Sequence, residues 1–274
     1  MASTTDSELV EETGASSSSL AFNFSGISSK VHWQMSFNPC VGYILSGLFF
    51  FCCVNYATRW TLPMAVKQTA RQNPQEVKWK WRNVLTSFIH STITGIWAPL
   101  AFVSQPSLGA DMIHAYSTSA HALISISIGY FIYDALDMVI YHRKRSTYEL
   151  LIHHFLVVTC YTIGVSSNKY VAYAALSLMV EINSTFLHTR QLFIITGEAK
   201  SSLRYKCNAL MNVGTFLLFR ILLLGWMTRW LTVNRDQIPL AFFTVGSVGL
   251  AVIVSLHFTF LNPNQLRWGG GGGS

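Results

Sequence analysis

Residues 143–167 read RKRSTYELLIHHFLVVTCYTIGVSS. Three cations precede an apolar run, and two adjacent histidines, His153 and His154, stand a turn inside it. Ionisable groups inside a membrane segment are costly and usually face the protein interior, where they mark a functional site. This pair has company. Asp134 and Asp137 lie in the apolar stretch before it, His90 in the one before that, and Glu181, Asn183 and Arg190 in the one after. The pattern predicts a membrane protein built around a polar pocket.

Composition agrees. Charged residues make up 11% of the 274-residue chain and hydrophobic ones 51%, where soluble domains carry about 25% charged residues. Long stretches free of Asp, Glu, Lys and Arg recur, as in a multi-pass helical protein. The expected spans are 38–58, 83–105, 118–141, 149–167, 170–190, 207–229 and 238–261. A net charge of +7 invites a nucleic-acid reading, but the cations fall in connections between apolar spans, so no nucleic acid is expected. Arg59, Lys67, Arg71, Lys78, Lys80 and Arg82 crowd the first connection, Arg143, Lys144 and Arg145 the third, and Lys200, Arg204 and Lys206 the fifth. The alternate side holds Lys30, Lys169, Arg229 and Arg235. Positive charge marks the cytosolic side, which places the N-terminus outside and the C-terminus in the cytosol.

Residues 1–37 are polar and acidic, with serines at 16–19, and read as a disordered extracellular tail without a cleavable signal. Asn23-Phe24-Ser25 is a glycosylation sequon there. The transmembrane domain covers 38–262. Residues 263–274 form a stub that ends in the linker-type run GGGGGS. Cys40, Cys52, Cys53, Cys160 and Cys207 read as buried thiols, with a Cys40–Cys160 disulfide as the alternative.

At 1.5 Å per helical residue, this orientation puts His90, Asp134 and Asn183 about 10 Å from the inner surface. His153, His154 and Asp137 come out at roughly 6–8 Å and Glu181 at about 13 Å. Groups from four spans thus share one level, and Asn208 and Asn212, four apart, join them. The plain alternative is a structural polar network, with Arg190 and Asn208 as snorkelling span ends. Ser125, Ser127, Thr159 and Thr162 read as helix-packing residues.

Adjacent helical residues point about 100° apart, so one imidazole meets substrate while the other takes a supporting hydrogen bond. Asp134 and Asp137, at i and i+3, share a face and can orient an imidazole across the helix gap. A base so held can deprotonate a hydroxyl or amine that attacks an acyl thioester, or carry the acyl group itself. The catalytic set is therefore His153, His154, Asp134 and Asp137. His90, Glu181, Asn183, Arg190, Asn212 and Arg220 are the expected pocket lining, with Arg190 and the inner basic loops for a donor's phosphates. No cofactor is expected; acyl-CoA enters as co-substrate and membrane lipids as partners. Nine histidines with one adjacent pair lack the repeated boxes of membrane hydroxylases, so no metal is expected, although a single zinc held by histidine and carboxylate remains an alternative. A seven-span receptor would carry an acidic-Arg-aromatic triplet where the third span ends Ile140-Tyr141-His142-Arg143.

Trp81-Arg82-Asn83 through Ser87, His90-Ser91, Gly129-Tyr130-Phe131 with Asp134 and Asp137, and Tyr148-Glu149 through His153-His154 together resemble the TLC-domain family, which includes ceramide synthases. Trp79-Lys80-Trp81-Arg82-Asn83, Gly95-Ile96-Trp97, Val180-Glu181 with Asn183 and Arg190, and Leu218-Phe219-Arg220 resemble the calfacilitin-like branch of that family. The likeness covers about residues 75–262. It implies an all-α, seven-transmembrane helix bundle with a cytosol-open polar cavity, in the plasma membrane. It also implies control of phospholipid acyl composition and membrane fluidity, above all in phosphatidylethanolamine. The paired histidines are catalytic in ceramide synthases, which implies that role for His153 and His154. Ceramide synthases follow the pair with a His-Asp motif, whereas residues 180–185 here read VEINST. The departure favours an ethanolamine-type phospholipid or lysophospholipid as acyl acceptor. A non-catalytic lipid-binding or channel-modulating protein is the alternative, and a ceramide-synthase-like N-acyltransferase the second.

Overall fold

A computed structural model describes residues 39–62, 66, 74–142 and 145–261. Among them the chain is helical with no strand. Asn23, the tail, and the loop cations Arg143 and Lys144 lie outside the described residues.

The helices are α1 (Pro39–Ala57), α2 (Pro74–Ser104), the short α3 (Ser107–Ala110), α4 (Thr118–Tyr141) and α5 (Arg145–Ser167). After these come α6 (Val171–Ser177), α7 (Glu181–Thr196), α8 (Leu203–Thr215), α9 (Leu224–Val233) and α10 (Leu240–Leu261). A 3-10 turn at Leu178–Val180 joins α6 to α7, and a π-helical segment, Phe216–Leu223, joins α8 to α9. Among the described residues, five helical stretches are long and apolar enough to cross a membrane: Pro39–Thr61, Gln75–Ser104, Thr118–Tyr141, Thr147–Ser167 and Leu203–Val233. That number differs from the seven expected. Among the described residues, the fifth expected span is divided between α6 and α7 and carries Glu181 and Arg190, and the seventh qualifies only as a shorter apolar helix, Leu240–Ser255. Large apolar side chains face outward from these helices, with Phe49 70%, Phe155 71% and Leu210 74% exposed. Such surfaces are excluded from water only if lipid covers them.

Expected and observed boundaries differ most at α2, which begins at Pro74 instead of residue 83. Lys78, Lys80 and Arg82 made the stretch look like a loop. Lys, Arg, Gln and Glu are good helix formers, proline suits the first helical position, and long cations reach the interface from a helix.

α4 is the hub. It packs on α1, α2, α5 and α6, and it is the most buried of the five long stretches. Its contact with α1 is backbone against backbone. A Cβ on Gly129 would strike the carbonyl oxygen of Ile44 and stand 2.6 Å from the nitrogen of Leu48. One on Gly47 would stand 2.6 Å from the carbonyl oxygen of Ile126. Small residues at such crossings let helices approach closely in an apolar medium. Ser125 is buried and donates to its own helix at His121 O, 2.8 Å, in keeping with a packing role. α2 lies against α7, and α10 closes over α5. α7 ends at Gly197, whose φ of 75° lets the Gly197 and Glu198 N–H groups return to Ile194 and Phe193.

All five cysteines are free. Cys40 is buried, while Cys160 sits against the carbonyl of Val245 at 3.8 Å, so the disulfide alternative falls. Cys52, Cys53 and Cys207 are exposed, contrary to the buried-thiol reading, because they lie on outward faces of their helices.

Candidate functional site

α2, α4 to α10 and the π segment all contribute residues to the lining of a cavity of about 810 Å³. α5 supplies His153 and His154, α4 supplies Asp134, and α7 supplies Glu181 and Arg190. Asn212 and Arg220 complete the expected residues that line it. The rest of the wall is largely apolar, including Leu156, Val157, Leu224, Met227, Leu250 and Ile253.

The two histidines occupy different settings. His154 is 5% exposed, and its Nε2 lies 3.6 Å from Oδ2 of Asp134, itself 5% exposed. Asn83 Nδ2 donates to the other oxygen of Asp134 at 2.7 Å, which fixes the carboxylate plane. His153 is only partly buried, and neither of its ring nitrogens has a hydrogen-bond partner among the described residues. Its Nδ1 is enclosed, so Nε2 is the nitrogen that can meet a ligand. The ring centroids stand 5.7 Å apart. Helix geometry turns the two rings apart as expected, but at 3.6 Å the approach of His154 to Asp134 is an ion-pair distance and not the supporting hydrogen bond expected.

Asp137 takes a different place from the one expected. It does not face an imidazole; Trp79 Nε1 donates to it at 2.8 Å and Asn83 Nδ2 at 3.4 Å. The i, i+3 spacing put both aspartates on one face, but α2 stands beside α4 at the level of Asp137 and takes up its acceptors. Two expected lining residues also stand behind the wall. His90 is 2% exposed, stacked on Tyr130 at 3.7 Å between centroids, with Ser127 Oγ 3.4 Å from Nε2. Asn183 is fully buried and donates to Asn212 O, Asn212 Oδ1 and Thr215 Oγ1 at 2.9–3.1 Å. It ties α7 to α8, and its burial leaves the formal sequon at 183–185 out of reach. Asn208 likewise donates to Phe186 O at 3.1 Å, and Arg190 Nε donates to Tyr205 at 3.3 Å.

Three residues escaped the sequence reading. His188 lines the cavity with no hydrogen-bond partner among the described residues and an enclosed Nδ1. Ser184 accepts from Arg220 Nη2 at 3.0 Å. Both sit on the face of Glu181, at i+3 and i+7, a spacing that was available to find them. Asn83 stood in the motif that carries the family resemblance but without a site role, because nothing local shows that it spans to Asp134. Among the described residues, no group of three or more His, Cys, Asp or Glu side chains is placed to hold a metal ion.

Residues 80–262 match the TLC domain. TLC domain-containing protein 2 of Danio rerio is 46% identical over 81% of this chain and 87% of its own length. Human TLC domain-containing protein 2 is 36% identical over 64% and 66%, and human TLC domain-containing protein 1 is 30% identical over 82% and 89%. No solved structure matches the chain. With the matched segment running from the foot of α2 to the end of α10, and so holding every wall of the cavity, the chain belongs to the TLC-domain family.

Proposed function

We propose that this protein regulates membrane phospholipid acyl composition and fluidity by transferring an acyl group from acyl-CoA to an ethanolamine-type phospholipid or lysophospholipid. The observation that carries the reading is an open imidazole, His153, beside a second one, His154, that stands 3.6 Å from a buried carboxylate, both lining a largely apolar cavity. In the direct route, Nε2 of His153 takes the proton of the acceptor hydroxyl or amine as that atom attacks the thioester carbonyl. The C–S bond breaks, and the imidazolium returns the proton to the departing thiolate. In the covalent route the same nitrogen attacks first and holds the acyl group until the acceptor displaces it. His154, steadied by Asp134, supplies a fixed dipole next to the developing charge. Glu181, Arg190, Asn212 and Arg220 position the acceptor and the donor. Asp137, His90 and Asn183 act from behind the wall, as supports.

The accompanying topology is seven spans with the N-terminus outside and the cavity open to the cytosol, in the plasma membrane. Cation placement supports it: Lys78, Lys80 and Arg82 cluster at the foot of α2. A non-catalytic lipid-binding role is the second reading, favoured by the breadth of the apolar lining. Turnover of labelled acyl-CoA by purified protein tests the choice. Activity that the His153→Ala, His154→Ala double variant loses by roughly 10²–10⁴-fold, the usual contribution of a positioned base, supports transfer. Equal rates in the two proteins, or no turnover with any lysophospholipid or amine acceptor, leaves the binding role.

A further inference from the structure

Arg220 lines the cavity from within the π-helical segment Phe216–Leu223. A guanidinium inside an apolar bundle is costly unless its donors are met, and it has five N–H donors in a planar fork. Among the described residues one side chain meets them, Ser184 Oγ at 3.0 Å from Nη2. Nε is enclosed without a partner, and among the described residues no carboxylate lies within 4.0 Å of the guanidinium. The π segment is a separate observation. Such turns are rare and concentrate at functional sites, and Arg220 lies within this one.

We propose that Arg220 anchors an anionic oxygen group, phosphate or carboxylate, at the head of a hydrocarbon chain that occupies the cavity. The fork suits either anion bidentately, and Ser184 holds it in plane. His153 and His188, each without a hydrogen-bond partner among the described residues, line the same cavity and offer further donors. Leu224, Met227, Leu250 and Ile253 line the part that would take the chain. Glu181 stands one turn from Ser184 on the same wall. An anion that brings its own ammonium, as a zwitterionic head group does, meets less repulsion there than a bare carboxylate. That ranks the phosphate of an ethanolamine-type head group above a fatty carboxylate.

The inference rests on the cavity being a lipid site and not on acyl transfer. The test is equilibrium binding of three probes with one shared oleoyl chain to the purified full chain. The probes are lysophosphatidylethanolamine, oleate and monooleoylglycerol. At least one anionic probe should bind about 10- to 100-fold more tightly than the uncharged one, the size of a buried charged hydrogen bond, and Arg220→Gln should remove that margin. A tighter lysophospholipid identifies phosphate as the anion, a tighter oleate identifies carboxylate. Binding of all three within about threefold, or a margin that survives in Arg220→Gln, overturns the anchor. The wild-type comparison decides even where the glutamine variant fails to fold. If acyl transfer alone is wrong, the margin persists without turnover; if the anchor alone is wrong, turnover persists without the margin.

Discussion

Asp134→Asn keeps the shape of the side chain and removes its charge, so it isolates what the carboxylate does for His154. The two groups are 3.6 Å apart with side chains 7% and 6% exposed. At an effective dielectric of about 20, a carboxylate and an imidazolium at that distance attract by ~4.6 kcal/mol, or about three powers of ten in rate. With a neutral imidazole the interaction falls to that of a long hydrogen bond, on the order of 1 kcal/mol. Turnover of Asp134→Asn should therefore drop by roughly 10- to 1,000-fold, with the large end reached if a proton resides on the histidine pair during reaction. Asp137→Asn is the comparator: Trp79 and Asn83 hold that carboxylate, and among the described residues no imidazole is paired with it, so its loss of rate should stay under about tenfold. Initial rates with labelled acyl-CoA, alongside thermal melts, provide the measurement. A readout that needs no catalysis comes from a stability cycle between Asp134→Asn and His154→Gln, which should show a coupling of at least ~1 kcal/mol. An Asp137 variant slower than the Asp134 variant, or additive stability effects in the cycle, refutes the pairing.

Two further outcomes follow from the fold. Gly129→Ala would drive a Cβ into the backbone of α1, costing about 1–3 kcal/mol as overpacking does, whereas Gly214→Ala meets nothing within 4 Å. A melt in which both variants match wild type would remove the close α1–α4 crossing. For the topology, Asn23 should carry a glycosidase-sensitive glycan in cells, and the 143–145 loop should resist protease added outside intact cells; cleavage there reverses the orientation.

The helical, membrane-embedded class was legible in the sequence because apolar runs of this length have few other stable solutions. The span 118–141 agrees with the structure to the residue, since the apolar signal ends where the helix does. The convergence of Asp134, His153, His154 and Glu181 was legible too, because helical rise converts position into depth. Rotation about each helix axis was not. Depth placed Asp134 and Asp137 together, but neighbouring α2 gave one to His154 and the other to Trp79. His90 and Asn183 lie on helices that supply the cavity and still stand behind its wall, since Tyr130 covers one and Asn212 and Thr215 hold the other. The boundary at Pro74, the break at Leu178–Val180 and the π turn around Arg220 left no mark in composition, because charged residues extend helices well and tertiary packing, not propensity, sets such irregularities. Sequence by itself thus determined the helical, membrane-spanning class and which polar groups lie inside apolar stretches. Which of those groups face one another was decided only when the helices packed, because each contact depends on helix rotation and on partners distant in the chain.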